Sequence, residues 1–265
     1  MMNTTARIAA CTLAGLCLAA AGCGEKTVST PSGVKYADLV AGKGAEARAG
    51  DFIEAHYTGW LQADDSQFES SHDQDHQPIV FRLGLGQVIK GWDEGIVGMK
   101  PGGKRMLYIP AALAYGAQAR GVLLPANSDL RFEIELLRII DAFKAEDLRE
   151  GDGATAKWND TVEVRYSGAL QDGSQKFDSD KDFDALPVVF QIGGPPPNPQ
   201  SPPIPRGWEG GVVGMKEGGK RKLTIPAELG YGTQGNPPRI PPDANLVVDV
   251  ELVKILTGIG AGSPP

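Results

Sequence analysis

The chain has 265 residues, 41% hydrophobic and 22% charged, and 33 acidic against 26 basic side chains leave a formal net charge of −7. That balance argues against a protein that grips nucleic acid through a basic face, and the apolar share is ordinary for a folded, soluble chain. The 35 glycines and 20 prolines are the compositional excess.

At the N-terminus, Met1 to Arg7 carries one basic residue and no acid, and Ile8 to Ala21 is an unbroken run of small and apolar residues. The run is shorter than the roughly 20 residues a membrane-spanning helix needs, which predicts a signal peptide over residues 1–22. Ala20-Ala21-Gly22-Cys23 resembles the lipobox of bacterial lipoproteins, in which the cysteine becomes the lipidated first residue; the Ala19-x-Ala21 spacing also permits ordinary cleavage after Ala21. Cys11 and Cys17 leave with the leader, so the mature chain keeps Cys23 alone and forms no internal disulfide. The expectation is an exported protein, anchored to a membrane through lipidated Cys23 and facing the periplasm or cell exterior, with residues 23–33 as an exposed tether.

The rest of the sequence repeats itself. Trp92-x-x-Gly95-x-Val97-Gly98-Met99-Lys100 returns as Trp208-x-x-Gly211-x-Val213-Gly214-Met215-Lys216, an offset of 208 − 92 = 116, and Tyr115-Gly116 returns as Tyr231-Gly232. Upstream, Tyr57-x-Gly59 matches Tyr166-x-Gly168, and Phe68 matches Phe177, at an offset of 177 − 68 = 109. The second copy has therefore gained seven residues (116 − 109) between Phe190 and Ile204, where the proline-rich stretch Gly193 to Pro203 predicts an irregular exposed loop. A period near 110 residues is too long for a solenoid unit and suits a compact domain. The sequence thus predicts domains over residues 34–142 and 143–256, with a disordered tail over 257–265. Asp141 to Arg149 leaves little room for a flexible linker, which restricts the relative orientation of the domains.

Within each copy the clearest local signal is alternation of period two. Phe132, Ile134 and Leu136 face one side and Arg131, Glu133 and Glu135 the other; Val248, Val250 and Leu252 against Asp249 and Glu251 repeat it. Phe52 to Leu61, Arg105 to Ile109, Val162 to Leu170 and Lys220 to Ile225 also read as strands bounded by glycine and proline. A sheet with one wet face needs an apolar partner, and the one plausible short helix in each copy begins near Gly91 or Gly207 and presents Trp92 or Trp208. The expected fold class is α+β, with two domains, each an antiparallel sheet wrapped around one short helix.

These residues carry a resemblance to the FKBP-type peptidyl-prolyl isomerases. His56-Tyr57-Thr58-Gly59, Phe68-Glu69-Ser70-Ser71, Val88-Ile89-Lys90-Gly91-Trp92, Ile109-Pro110, Ala114-Tyr115-Gly116 and Phe132-Glu133-Ile134-Glu135-Leu136 fall in that family's order and spacing. The second copy follows through Tyr166, Phe177-Asp178-Ser179, Arg206-Gly207-Trp208, Tyr231-Gly232, Ile240-Pro241-Pro242 and Val250-Glu251-Leu252.

The resemblance implies a first pocket built from Tyr57, Phe68, Glu69, Ile79, Val88, Ile89, Trp92, Tyr115, Leu124 and Phe132. Trp92 would be its floor, and the Tyr115 hydroxyl and the Ile89 backbone N–H would bind substrate carbonyls. Glu69 stands where the family usually has aspartate, and Ile79 where it often has phenylalanine. The second pocket would use Tyr166, Phe177, Asp178, Val188, Ile204, Trp208, Tyr231, Ile240 and Val248. There, valines replace two aromatic walls, and Pro205 occupies the position of Ile89 and has no N–H to offer. A weak isomerase or a binding domain is expected of the second copy, and macrolide inhibitors of the family are expected to bind the first.

Such a residue set suits the chemistry. Rotation about an X-Pro amide faces a barrier of roughly 18–20 kcal/mol because the twisted form loses resonance, and no proton or covalent bond changes hands. An apolar pocket that binds the twisted amide better than the planar one therefore accelerates exchange. No cofactor and no metal are expected. His56, His72 and His76 are the only histidines, and the run Ser71-His72-Asp73-Gln74-Asp75-His76 reads as a solvated polar loop rather than a metal site. Two functions stay open: an isomerase acting on X-Pro segments of exported unfolded proteins, and a non-catalytic module that binds clients or an envelope partner.

Overall fold

The computed structural model describes residues 27–73, 77–179, 187–195 and 204–256. The predicted leader, Cys23, His76, residues 196–203 of the proline-rich insertion and the tail from residue 257 lie outside the described residues.

Two antiparallel sheets follow one another along the chain. The first holds β1 (Val28–Ser29), β2 (Lys35–Val40), β3 (Phe52–Leu61), β4 (Gln67–Ser70), β5 (Ile79–Arg82), β6 (Lys104–Ile109) and β7 (Leu130–Ile139), in the order β1-β2-β6-β7-β3-β4 with β5 also on β3. The second holds β8 (Lys144–Arg149), β9 (Thr161–Leu170), β10 (Lys176–Ser179), β11 (Val188–Gln191), β12 (Lys220–Ile225) and β13 (Leu246–Ile255), in the order β10-β9-β13-β12-β8 with β11 on β9. Apart from the extra edge strand β1, the two orders coincide element for element. Each sheet curls over one short helix, α1 (Lys90–Gly95) or α2 (Arg206–Val212), which buries Trp92 or Trp208 against it.

The alternation read from the sequence places the core. Phe132, Ile134 and Leu136 are buried while Arg131, Glu133 and Glu135 are not, and Val248, Val250 and Leu252 are buried on the paired strand of the other domain. Lys104 reaches across to Glu135 at 2.9 Å on the wet face of the first sheet. Beneath each helix a buried arginine ties the layers together. Arg105 donates to the carbonyls of Gly95 at 2.8 Å and Val97 at 3.0 Å and pairs with Asp38; Arg221 does the same with Gly211, Val213 and Asp147. These carbonyls sit at the helix C-termini, where no intrahelical donor reaches them. A guanidinium in that position also faces the negative end of the helix dipole.

Two stretches differ from their expected form. Val28–Ser29, placed by sequence in the tether, is a short strand paired with Tyr36 and Lys35 of β2. Lys144–Arg149 is the edge strand β8 against β12, so Ile140 to Phe143 makes the whole crossing between the sheets. Alternation is weak in KAEDLR because all six residues are exposed, and only its pairing makes it a strand.

The two domains are packed on one another. Phe52, 1% exposed, belongs to the apolar core of the second domain together with Ile140, and Phe143 packs on it edge to face with ring centroids 4.7 Å apart. Arg82 lies over the Phe143 ring at 5.1 Å and donates to Gly50 O at 2.7 Å and to Gly210 O of α2 at 2.6 Å. Burial, then the charge of Arg221, pulls its guanidinium down to about 10, so it stays charged at neutral pH. Gly210 is required by the close approach: a Cβ there would sit 2.6 Å from Phe52 Cζ. Arg138 adds ion pairs with Glu54 of its own domain and Glu228 of the other.

Candidate active site

The first sheet, α1 and the loops at their open end enclose a cavity of about 750 Å³. Trp92 is its floor. The ring is 4% exposed and meets Tyr57 at 5.0 Å, Phe132 at 5.1 Å and Phe81 at 6.0 Å between centroids. The Tyr57 and Phe132 contacts are edge to face, a geometry worth about 0.5–1.5 kcal/mol per pair beyond area burial. Phe68 supports Phe132 from outside at 5.6 Å.

The Tyr-x-Gly motif acquires its reason here. Tyr57 and Gly59 point to the same side of β3, and a Cβ on Gly59 would fall 2.6 Å from Phe132 Cε1 and 2.7 Å from Phe68 Cζ. Only a glycine lets the two rings close the wall. Gly168 repeats the device against Phe177, whose Cζ would be 2.4 Å from an added Cβ.

Two hydroxyls face the cavity. Tyr57 donates to Glu69 Oε1 at 2.8 Å, so the longer acid does span the gap. Burial, and then the Glu69 hydrogen bond, push the Tyr57 phenol far above the usual tyrosine range; burial and the Glu69 charge raise Tyr115 as well. Both hydroxyls are therefore neutral donors at any physiological pH. Arg120 lies over the Tyr115 ring at 4.7 Å and helps hold the loop that carries it.

The opposite rim is Val88 and Ile89, just before α1. Asp93 fixes this loop by accepting the backbone N–H groups of Gly84 at 2.7 Å and Gly86 at 2.8 Å, both in the left-handed region at φ +80° and +73°. Ile89 is the N-cap, with φ −58° and ψ 145°, and its carbonyl accepts from Trp92 N at 2.9 Å. Among the described residues its own N–H has no acceptor.

Of the ten residues named from the sequence for this pocket, Tyr57, Glu69, Ile79, Val88, Ile89, Trp92, Tyr115 and Phe132 line the cavity. Phe68 stands behind Phe132, and Leu124 is 4% exposed and packed into the core, so both buttress the wall. Gln87, Arg120, Trp158 and Asn159 also line the cavity, and none of them was singled out from the sequence. Gln87 and Arg120 sit in loops with no periodic signal. Trp158 and Asn159 belong to the second domain, and only the packing of the two domains brings them to this site.

In the second domain, Trp208 is 7% exposed and meets Tyr166 at 4.6 Å and Phe190 at 6.1 Å. Phe177, Ile240 and Val248 are buried around it, and Val188, Ile204 and Tyr231 pack from the outside. Asp178 lies in β10, and its side chain is outside the described residues. Pro205 is the N-cap of α2 with φ −59° and ψ 140°, the backbone conformation of Ile89 within a few degrees. Glu209 accepts Gly193 N at 3.0 Å, as Asp93 does for Gly84. A cavity of about 770 Å³ adjoins Ile204, Pro205 and Tyr231; Trp208 and Tyr166 are absent from its walls, and first-domain residues close its other side.

Near His56, the loop histidine His72 stacks with ring centroids 4.3 Å apart, and Ser71 Oγ is 2.9 Å from His56 Nδ1. No group of three or more metal-ligating side chains occurs among the described residues.

Comparison with known proteins agrees with this geometry. The family profile for FKBP-type peptidyl-prolyl cis-trans isomerase matches residues 43–137 and again 153–253. The FK506-binding protein of Neisseria meningitidis serogroup B is 50% identical over 109 residues, which cover 41% of this chain and 98% of that protein. Peptidyl-prolyl cis-trans isomerase FKBP9 of Rattus norvegicus is 34% identical over 220 residues, covering 78% of this chain and 35% of that protein, so the chain spans about a third of its length. Among solved structures, that of AtFKBP13 shares 43% identity over 43% of this chain and 98% of its own, with a TM-score of 0.40. Matched twice along its length, the chain belongs to the FKBP-type peptidyl-prolyl cis-trans isomerase family.

Proposed function

We propose that the first domain isomerises X-Pro bonds in unfolded exported proteins, and that the second is a weak isomerase or a binding domain. The observation that carries the division of labour is the pair Ile89 and Pro205. Both occupy the same N-cap conformation, but the first offers a free N–H at the pocket rim and the second has none. A proline ring placed on Trp92 would lie in an apolar box. One substrate carbonyl would lie toward the Ile89 N–H and another toward the Tyr115 hydroxyl. The twisted amide has less amide resonance than the planar one and tolerates the dry walls better, which lowers the barrier by differential binding. No ionisation is needed, consistent with phenols held neutral.

The test is the cis-to-trans rate of a short X-Pro peptide with the full chain, alone and with a macrolide inhibitor of the family. Inhibitable turnover is expected. It should fall sharply in Trp92→Leu or Tyr115→Phe, and persist in the corresponding Trp208→Leu variant. Turnover lost in Trp208→Leu but kept in Trp92→Leu would reverse the assignment.

Export and anchoring belong to the same proposal and rest on the sequence of the leader alone. Labelled palmitate incorporated by the natural chain and lost in Cys23→Ser would support a lipidated, membrane-held enzyme. A soluble, unlabelled mature protein beginning at Gly22 would point to ordinary cleavage.

A further inference from the structure

Trp158 is a second-domain residue at the first domain's active site. It lines both the 750 Å³ cavity over Trp92 and the 770 Å³ cavity beside Pro205. The two cavities also share Ile79, Gln87 and Val88 of the first domain, so they are neighbouring parts of one trough. Trp158 stands at their junction.

The internal repeat shows what is unusual about this residue. Subtracting the offset of 109 places Ala49 at the same position in the first domain. The local frame is common to both: a Cβ on Gly84 would fall 2.8 Å from Ala49 Cβ, and a Cβ on the matching Gly193 would fall 2.2 Å from Trp158 Cζ2. The second domain has therefore replaced a methyl group with an indole at the one copy of this position that faces another domain's pocket. The indole packs closely on Gly193, and the backbone beside it is fixed: Asn159 N–H donates to Ile192 O at 3.1 Å and Gln191 Nε2 donates to the Asn159 carbonyl at 3.2 Å. The docking of Arg82 on Gly210 and of Phe52 in the second core keeps the trough's two walls together.

We propose that Trp158 is a substrate-binding residue of the first domain's active site. An extended unfolded chain, with its proline on Trp92, passes Val88 and Gln87 and lays a large apolar or aromatic side chain on the Trp158 indole. The inference rests on the first pocket being the isomerase site. It gives the second domain a part in selecting long apolar clients that requires no turnover of its own.

The test compares two substrates on the full chain. One is a tetrapeptide with a single X-Pro bond; the other is an unfolded peptide of about 15 residues with the same X-Pro bond flanked on each side by tryptophan or leucine. The natural protein should prefer the long peptide in kcat/KM, and Trp158→Ala, which installs the residue of the first repeat, should reduce that preference three- to tenfold. Trp158→Phe should restore part of it. The Trp158 indole N–H resonance, identified by its loss in Trp158→Ala, should shift with the long peptide and not with the tetrapeptide. An unaltered preference, or equal losses on both substrates, would overturn the proposal. Should the natural protein turn over neither substrate, the isomerase reading falls, and the indole resonance alone decides whether the trough binds the long peptide.

Discussion

Replacing Ile89 with proline removes one N–H from the rim of the first pocket, together with part of the aliphatic side chain that lines the cavity. The native φ of −58° lies within the range a pyrrolidine ring imposes, and the N–H that proline removes has no acceptor among the described residues. The backbone should accept the ring, and a gain of about 0.4–1 kcal/mol from the narrowed unfolded ensemble offsets part of the packing that the Ile89 side chain gives up against the first core. Pro205 demonstrates that the same turn into a helix accepts the ring, at φ −59°. Substrate binding should suffer instead. A net hydrogen bond contributes about 0.5–1.5 kcal/mol, which at roughly 1.4 kcal/mol per tenfold corresponds to a loss of about 2- to 12-fold in kcat/KM. The assay is peptide isomerisation beside thermal unfolding, with Pro205→Ile as the reciprocal change; added N–H at that rim should raise whatever activity the second domain has. Undiminished turnover by a folded Ile89→Pro protein would show that this N–H binds no substrate and would remove the physical basis for ranking the two domains.

Other substitutions test the walls and the layers beneath them. Gly59→Ala should push Phe132 and Phe68 apart, costing about 1–3 kcal/mol in the denaturant midpoint and lowering kcat/KM at the same time. Tyr57→Phe should lose the 2.8 Å bond to Glu69, with about 0.5–1.5 kcal/mol of stability and a several-fold fall in turnover, while Glu69→Asp should keep the fold and most of the rate. Arg105→Met should strip the carbonyls of Gly95 and Val97 of their donor and cost about 2–4 kcal/mol in chemical denaturation, far more than loss of the exposed Lys100–Glu46 pair at about 0–1 kcal/mol. Because Tyr57 and Tyr115 ionise above the ordinary value near 10, an unfolded chain releases these protons first as pH rises. Their contribution to stability is complete below about pH 10 and is lost as pH climbs through the raised folded values, so urea midpoints should fall above pH 10 and fall less in Tyr57→Phe.

The repeat, the strands and the tryptophan-bearing helix are legible in the residues because each depends on local periodicity. Phe132-x-Ile134-x-Leu136 can hide its apolar side only as a half-buried strand, and a sheet so patterned needs the one apolar helix available to it. The aromatic box is legible through the resemblance instead of through periodicity: the ordered motifs around Tyr57, Trp92 and Tyr115 are those of the family, and the resemblance names the walls they carry. Pro205 declares its missing donor by its identity alone. What tertiary structure decided depends on meetings between residues distant in the chain. Exposed KAEDLR becomes a strand only because β12 presents an edge to it. Phe52 reads as the first core residue of its own strand, yet it is buried in the neighbouring domain, where Gly210 leaves room for its ring. Trp158 carries no periodic signal and acquires the role proposed for it only because Arg82 and Phe143 lock the domains so that its indole borders a pocket built by the other half of the chain. Side-chain pattern fixes which face of each element is buried, but it does not fix which surface covers that face, since apolar contact is not directional.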